Sequence, residues 1–376
     1  MKRYGFFLLL VSCFLLLTIF SCDKTPVGYN ELERDVSIPV FNTFHPSSHF
    51  CYGKYVPLGG ADYMVLGKNG EYESRILIQF PIDTLTISGI TSLKLVIYPK
   101  NYNSISFSIY SIMKISEWQE GSVLWNRAYE GQPWITNGGD YYPRLLANVS
   151  LTEDSCIIPI TFNQGLLDSL KNYSNGIILI PDTGNSFATI NSRSITSKAP
   201  KIVFEYGSTI KSFTASYDAH IVNTINLNPN SYLDAWLGAG YPFRTMVKFD
   251  LDTIPENVTI AYAELILPIQ SHYSMSDTFD IGIWKVLEPD FTLSTRYADG
   301  IFAKTQYIVS SDTVDTVIIF DLRKIVQNWT IKPDSNFGIL VSCYPENYEI
   351  SRIQLKIGTS GPYLKVGYVL PPKGRF

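Results

Sequence analysis

Charge is scarce in this chain. Only 17% of its 376 residues are Asp, Glu, Lys or Arg, and the 30 basic ones form no cluster. That removes the electrostatic footprint on which nucleic-acid binding depends. Histidine is rarer still, with four in all. His45 and His49 stand four apart, but Pro46 lies between them and no acid falls inside the spacing, so they do not make the helical pair of a zinc site. No two cysteines have zinc spacing. There is no Gly-x-Ser-x-Gly nucleophile elbow and no glycine-rich phosphate loop ending in Lys-Ser or Lys-Thr. Asp182-Thr183-Gly184 spells the triplet of an aspartic protease, but that chemistry needs two carboxylates sharing one proton. The corresponding stretch of the chain, Ser342-Cys-Tyr344-Pro, holds no second triplet. Glycosidase chemistry needs only two acids at the right separation, and the 34 acidic residues single out no pair. The sequence points away from catalysis, and nothing in it calls for a cofactor or a metal.

What the chain has in quantity is apolar and aromatic surface. Apolar residues make up 45%, with 25 Tyr, 21 Phe and 6 Trp, a balance that suits half-buried strands and argues against disorder. These residues are laid out twice. Arg75-Ile-Leu-Ile-Gln-Phe80-Pro-Ile-Asp83 is matched by Arg244-Thr-Met-Val-Lys-Phe249-Asp-Leu-Asp252 at an offset of 169. Ile90-Thr-Ser-Leu-Lys-Leu95 is matched by Ile260-Ala-Tyr-Ala-Glu-Leu265 at 170. Asn175-Gly176 answers Phe337-Gly338, and the stretch from Pro200 to Tyr206 answers that from Pro362 to Tyr368, both at 162. Collinear matches of this kind mean one unit duplicated in tandem. The boundaries read from them are 37–206 and 214–368, joined by a polar linker at 207–213 and followed by a tail at 369–376.

Strand signals dominate both units. Ser106-Phe-Ser-Ile-Tyr-Ser-Ile and Thr278-Phe-Asp-Ile-Gly-Ile-Trp alternate with period two, and turn clusters separate the apolar runs. Each unit also carries one stripe at helical spacing: Leu166, Leu167 and Leu170 in the first, and Leu322, Ile325, Val326 and Trp329 in the second. The expected fold is all-β: two tandem antiparallel β-sandwiches of jelly-roll type, each with one short helix sealing an end.

The amino terminus carries an address. Lys2 and Arg3 precede an apolar run from Phe6 to Phe20, a secretory signal pattern too short for a membrane span. Ile19-Phe20-Ser21-Cys22 resembles a bacterial lipobox. Residues 1–21 are therefore read as a lipoprotein signal peptide, Cys22 as the lipidation site and 22–36 as a tether. The expected location is exported and lipid-anchored to a bacterial membrane, at the cell surface or on a periplasmic face. Of the remaining cysteines, Cys51, Cys156 and Cys343, only Cys51 and Cys156 make a plausible disulfide pair; buried thiols are the alternative.

The repeated pattern of Arg, apolar strand, Phe-x-Leu and then Ile-x-x-Ala-x-Leu-x-Leu resembles the DNRLRE-domain family of secreted bacterial proteins. Arg244, Phe249, Leu251, Ile260, Ala263, Leu265 and Leu267 carry it in the second unit, with Phe320-Asp-Leu, Val326-x-x-Trp329 and Asn336-Phe-Gly-Ile-Leu340. In the first unit, Glu117-Trp118-x-Glu120-x-x-Val123-x-Trp125-Asn126 is similar to a further family segment that the second unit lacks. The resemblance implies a non-catalytic jelly-roll module on an exported protein, with carbohydrate binding in some members. By that analogy Arg75, Arg244, Trp118 and Trp125 are structural, with Asp83, Asp252 or Glu205 as acid partners of the two arginines. Sugar rings stack on aromatic faces while polar neighbours satisfy their hydroxyls. Trp134 with Tyr129, and Trp236 with Tyr241, are the expected carbohydrate-binding platforms. The leading reading is thus a membrane-anchored lipoprotein binding polysaccharide. The alternatives are an envelope adhesion protein that contacts other proteins and, last, a polysaccharide-degrading enzyme.

Overall fold

The computed structural model describes residues 39–371 except 103, 116, 152–155, 183, 228–229, 310–316 and 348. The signal segment, Cys22 and the tether at 22–36 lie outside the described residues. Within them no helix is long and apolar enough to cross a membrane.

Among the described residues the chain is all-β with two α-helices. It opens with β1 (Val40–Phe44) and β2 (Pro46–Gly53), then β3 (Tyr63–Lys68), β4 (Tyr72–Gln79), β5 (Ser92–Ile97), β6 (Pro99–Tyr102) and β7 (Ile105–Met113). After the short β8 (Arg127–Tyr129) and β9 (Gln132–Pro133) come β10 (Ala147–Leu151), β11 (Cys156–Pro159) and α1 (Gln164–Asn172). The middle of the chain holds β12 (Ser174–Pro181), β13 (Ser186–Asn191), β14 (Lys201–Tyr206), β15 (Thr209–Thr214) and β16 (Tyr217–Thr224). The second half holds β17 (Asn230–Ser231), β18 (Trp236–Ala239), β19 (Phe243–Phe249), β20 (Thr259–Ser274), β21 (Thr278–Lys285), β22 (Ala303–Ile308) and β23 (Val317–Asp321). It closes with α2 (Arg323–Ile331), β24 (Ile339–Tyr344), β25 (Ser351–Leu355) and β26 (Tyr363–Val369).

The duplication holds strand for strand. One sheet of sandwich one runs β11-β5-β14-β15, and its counterpart in sandwich two runs β23-β20-β26-β1. The facing sheets are β10-β7-β12-β4-β16 and β22-β21-β24-β19-β2. A three-stranded flap, β3-β13-β6 in one and β18-β25-β20 in the other, completes each. The helices close equivalent ends: Leu166, Leu167 and Leu170 of α1 enter the first core, and Ile325, Val326 and Trp329 of α2 enter the second. Asn163 caps α1 by accepting the Leu166 N–H at 2.9 Å, satisfying one of the orphan donors of its first turn. The repeated Asn175-Gly176 and Phe337-Gly338 steps now have a cause. Gly176 (φ 102°) and Gly338 (φ 89°) are left-handed, and a Cβ there would lie 2.2 Å from the Ile78 carbonyl oxygen and 2.4 Å from that of Val247. Only glycine lets β12 and β24 begin against the neighbouring strand.

The structure redraws the unit boundaries expected from the sequence. The stretch expected as a linker at 207–213 is largely strand: β15 folds back on β14 from Tyr206↔Thr209 to Lys201↔Thr214, through a tight turn with Gly207 at φ 62°. The chain then continues into β16, which pairs with β4 along its whole length, from Tyr217↔Gln79 to Thr224↔Tyr72. Both strands therefore belong to sandwich one, not to the unit that follows them. Their counterparts at the start of the chain, β1 and β2, do not join sandwich one. Instead β1 pairs with β26, from Val40↔Tyr368 to Phe44↔Leu364, and β2 pairs with β19. Sandwich one is continuous, from β3 to β16, whereas sandwich two is closed by strands from the opposite end of the chain. For β15 the cause is local: the two-residue hairpin at 207–208 costs little loop entropy, so the strand folds back on β14.

This exchange settles the cysteine question. Cys51 on β2 lies in sandwich two and Cys156 on β11 in sandwich one, and no disulfide joins them. Cys51 is buried, its sulfur 3.8 Å from the Trp236 carbonyl and 3.4 Å from the Trp236 N–H. Burial pushes its thiol up to about 11.

A separate apolar cluster welds the sandwiches together. Leu58, Val65, Tyr72, Phe187 and Val222 from one side meet Tyr241, Phe243 and Ile350 from the other. The Arg352–Glu71 ion pair, at 2.9 Å, crosses the same seam.

Candidate functional site

The sheets that carry the two arginines are apolar on both faces. Alternation along β4, β12 and β7 sends Ile76, Ile78, Ile177, Leu179 and Phe107 inward. It sends Leu77, Ile178 and Ile112 outward, where Ala219 and Ile221 of β16 join them. Sandwich two repeats this outer face with Met246, Leu340, Trp284, Phe50 and Tyr52 at the corresponding strand positions. An outward apolar face needs a cover, and the two repeats provide different ones.

In sandwich one the cover is the long segment 114–146 between β7 and β10. Trp118, Trp125 and Trp134 from that segment pack on the outer face as a third layer. Trp118 donates its indole N–H to the Asn175 carbonyl at 3.0 Å, and Trp134 donates to the Leu124 carbonyl at 2.9 Å. Arg75 lies beneath this layer. Its Nε and Nη2 donate to Glu73 at 2.8 and 2.7 Å, Nη1 donates to the Gly138 carbonyl at 2.9 Å, and the guanidinium sits 4.7 Å from the Trp125 ring centre. Burial opposes the Glu73 charge, but Arg75 and Lys68 hold its carboxyl below the usual range.

In sandwich two the cover is the shorter segment 286–302, with Phe291, Tyr297 and Ile301. It leaves a cleft of about 410 Å³ beside Arg244, walled by Trp284, Tyr297, Tyr344, Glu346 and Asn347. Arg244 is 8% exposed and forms a two-point fork on Glu346, Nε to Oε1 at 2.7 Å and Nη2 to Oε2 at 2.6 Å. Its Nη1 donates to the Tyr297 hydroxyl at 2.9 Å. Burial alone would lower its pKa, but the hydrogen bonds and charge of Glu346 push it above the ordinary arginine value. Tyr344, 42% exposed, stands at the mouth, its ring centre 6.3 Å from that of Trp284. The cleft thus offers aromatic rings beside a carboxylate and an amide, the surface that a sugar ring uses.

Several sequence expectations change here. Trp134, expected as an exposed platform, is 5% exposed and belongs to the cover of sandwich one. Tyr129 is half-buried in the same cover. Tyr241 is buried in the seam, edge-on to Tyr55 at 5.0 Å. Trp236 is half-buried between the Arg352 guanidinium and Phe243, each at 5.0 Å. All four rings are engaged in packing, Trp134 and Tyr129 in the cover of sandwich one and Tyr241 and Trp236 at the seam. Trp118 and Trp125 are buried, and the acid partners of Arg75 and Arg244 are Glu73 and Glu346. Asp83 and Asp252 are exposed, and Glu205 pairs with Lys94. Trp284 and Tyr344 give no site signal in the sequence because each sits in a strand whose pattern reads as core. The comparison that finds them is between repeats, where Ile112 and Asp182 occupy the matching positions. Asp182 itself accepts from Ser108 at 2.7 Å, a side-chain brace near the end of β12. His45 and His49 line an apolar cleft of about 470 Å³ where β1 passes into β2.

Asp218, on β16, adds a pH effect. Burial pushes its carboxyl up to about 6 from 3.8, partly offset by the Arg193 N–H that it accepts at 2.6 Å. Between these values the folded protein keeps a proton that the unfolded chain has lost, so stability falls as pH rises through that window and is level above it. The drop is at most about 3 kcal/mol. Asp218→Asn should remove that slope and raise the urea midpoint near neutral pH. A slope unchanged in the variant would show that another group is responsible.

No family model matches the chain. No curated protein matches it. Among solved structures, that of a "putative secreted protein" from Parabacteroides distasonis aligns with 89% of this chain and 89% of its own, at 11% identity and a TM-score of 0.16. Likeness that loose supports no inference.

Proposed function

We propose that this protein is an exported lipoprotein, anchored through Cys22, that holds polysaccharide in the aromatic cleft of sandwich two. The observation that carries this reading is the contrast between the repeats. The same outer face is roofed by three tryptophans in sandwich one and left open beside Trp284, Tyr344 and Glu346 in sandwich two. The sugar stacks on Tyr344 and the edge of Trp284, with Glu346 and Asn347 taking its hydroxyls. Sandwich one supports sandwich two through the seam. A tether ending at 36 would lead into β1 and β2, and Tyr52 of β2 lies against Arg244 at 3.4 Å, so the strand nearest the proposed anchor also reaches the arginine site.

A glycan array probed with the full-length chain in detergent tests this. Tyr344→Ala should weaken binding to a retained glycan at least about tenfold, roughly 1.4 kcal/mol. Trp134→Phe, a change under the closed roof, should leave binding intact. Retention of no glycan by a folded protein would favour the envelope-adhesion reading instead.

A further inference from the structure

A second cleft lies at the seam, away from Arg244. Its volume is about 580 Å³, and both sandwiches line it. Sandwich one contributes Lys100 and Asn101 from β6 and Asn185 from the turn before β13; sandwich two contributes Tyr273 and Ser274 from the end of β20. The buried ring of Phe187 forms part of the wall.

The polar groups here differ from those at the arginine sites. Arg75 and Arg244 spend their donors on Glu73 and Glu346. Lys100 has no carboxylate in ion-pair reach among the described residues; its ammonium rests 3.8 Å from the Tyr63 ring centre, which leaves its N–H donors for a ligand. The amides of Asn101 and Asn185 are exposed and make no side-chain hydrogen bond among the described residues. Nearby charge cancels, because Glu71 is paired with Arg352. Burial pushes the Tyr273 phenol up to about 12, so it stays a neutral donor.

We infer that the seam cleft binds a singly charged tetrahedral oxyanion carried on a hydroxylated chain, as in a sulfated or phosphodiester-linked saccharide. One unpaired ammonium balances one negative charge. An ammonium, two amides and a phenol line the cleft from β6, the turn before β13 and β20, a spread of single donors that suits a tetrahedral group better than the flat fork of a carboxylate. The Phe187 and Tyr273 rings give the carrier an apolar wall. Because the ligand touches both sandwiches, its binding ties them together. The inference takes the saccharide carrier from the proposed function, but it concerns a different site.

The test measures affinity of the full-length chain in detergent for dextran sulfate oligomers, a glycerol-phosphate polymer, polygalacturonate and unmodified dextran. The dextran sulfate or glycerol-phosphate probe should bind, with Lys100→Gln weakening it about tenfold and Lys100→Arg restoring most of the loss. The salt dependence of binding should also shallow in Lys100→Gln. Which of the two probes binds identifies the carrier. Tyr344→Ala should leave this binding unchanged, so failure of the cleft beside Arg244 and failure of the seam site read out separately. The inference is overturned if neither tetrahedral-anion probe binds, if Lys100→Gln binds as the parent does, or if polygalacturonate binds equally well.

Discussion

A fragment spanning residues 57–226 is expected to fold cooperatively on its own, whereas one spanning 37–206, the unit that the repeat suggests, is not. The first contains every strand of sandwich one. The second keeps β1 and β2, which pair with nothing in it, and loses β15 and β16. Without β16, β4 becomes an edge whose N–H and C=O groups face water on one side, and the outer face loses Ala219 and Ile221 from beneath the tryptophan layer. That loss is on the order of a domain's whole stability, about 5–15 kcal/mol. Urea unfolding followed by tryptophan fluorescence should give a sigmoid for 57–226 and a featureless slope, or aggregation, for 37–206. The 57–226 fragment still exposes Tyr72, Phe187 and Val222 at the bare seam, so its midpoint should fall below that of the full chain. A cooperative transition in 37–206 would sink the strand-exchange description.

That contrast also marks where sequence reading runs out. The strands, the two helices and the inward residues were legible because period-two alternation and the Leu166–Leu170 stripe are local signals. Glycines 176 and 338 were legible as a match between repeats, though not their cause. Strand ownership was not, since the pattern of Phe50 and Tyr52 is the same whichever sandwich receives them. A tandem repeat fixes the spacing of its units but leaves the cut between them free. The platforms failed for a related reason. Trp134 in a Gly- and Pro-rich stretch reads as exposed, yet the apolar outer face beneath it made a roof necessary, and that face shows only when several strands are aligned side by side. Matched position by position, Ile112 with Trp284 and Ala219 with Phe50, the repeats differ in bulk: the outer face of sandwich two carries larger rings of its own beneath a shorter cover.

Arg244→Ala should be among the most destabilising single substitutions, costing about 3–5 kcal/mol, because it strands Glu346 in a largely buried setting. Glu346 accepts three hydrogen bonds, two from Arg244 and one from the Ser342 hydroxyl at 2.7 Å. Removing the arginine leaves its carboxylate with one neutral donor, and the remaining charge dominates the cost. The double variant Arg244→Met with Glu346→Leu should therefore recover most of the loss, since replacing a buried pair by apolar side chains of similar size is often close to neutral. Lys304→Ala supplies the contrast: its ion pair with Asp280 is partly solvent-exposed, and its removal should cost no more than about 1 kcal/mol. Urea midpoints at constant m-value separate these cases. If the double variant is as unstable as Arg244→Ala, the stranded charge is not the cause, and the loss lies instead in the contacts that the Arg244 side chain makes with Tyr52 and Tyr297.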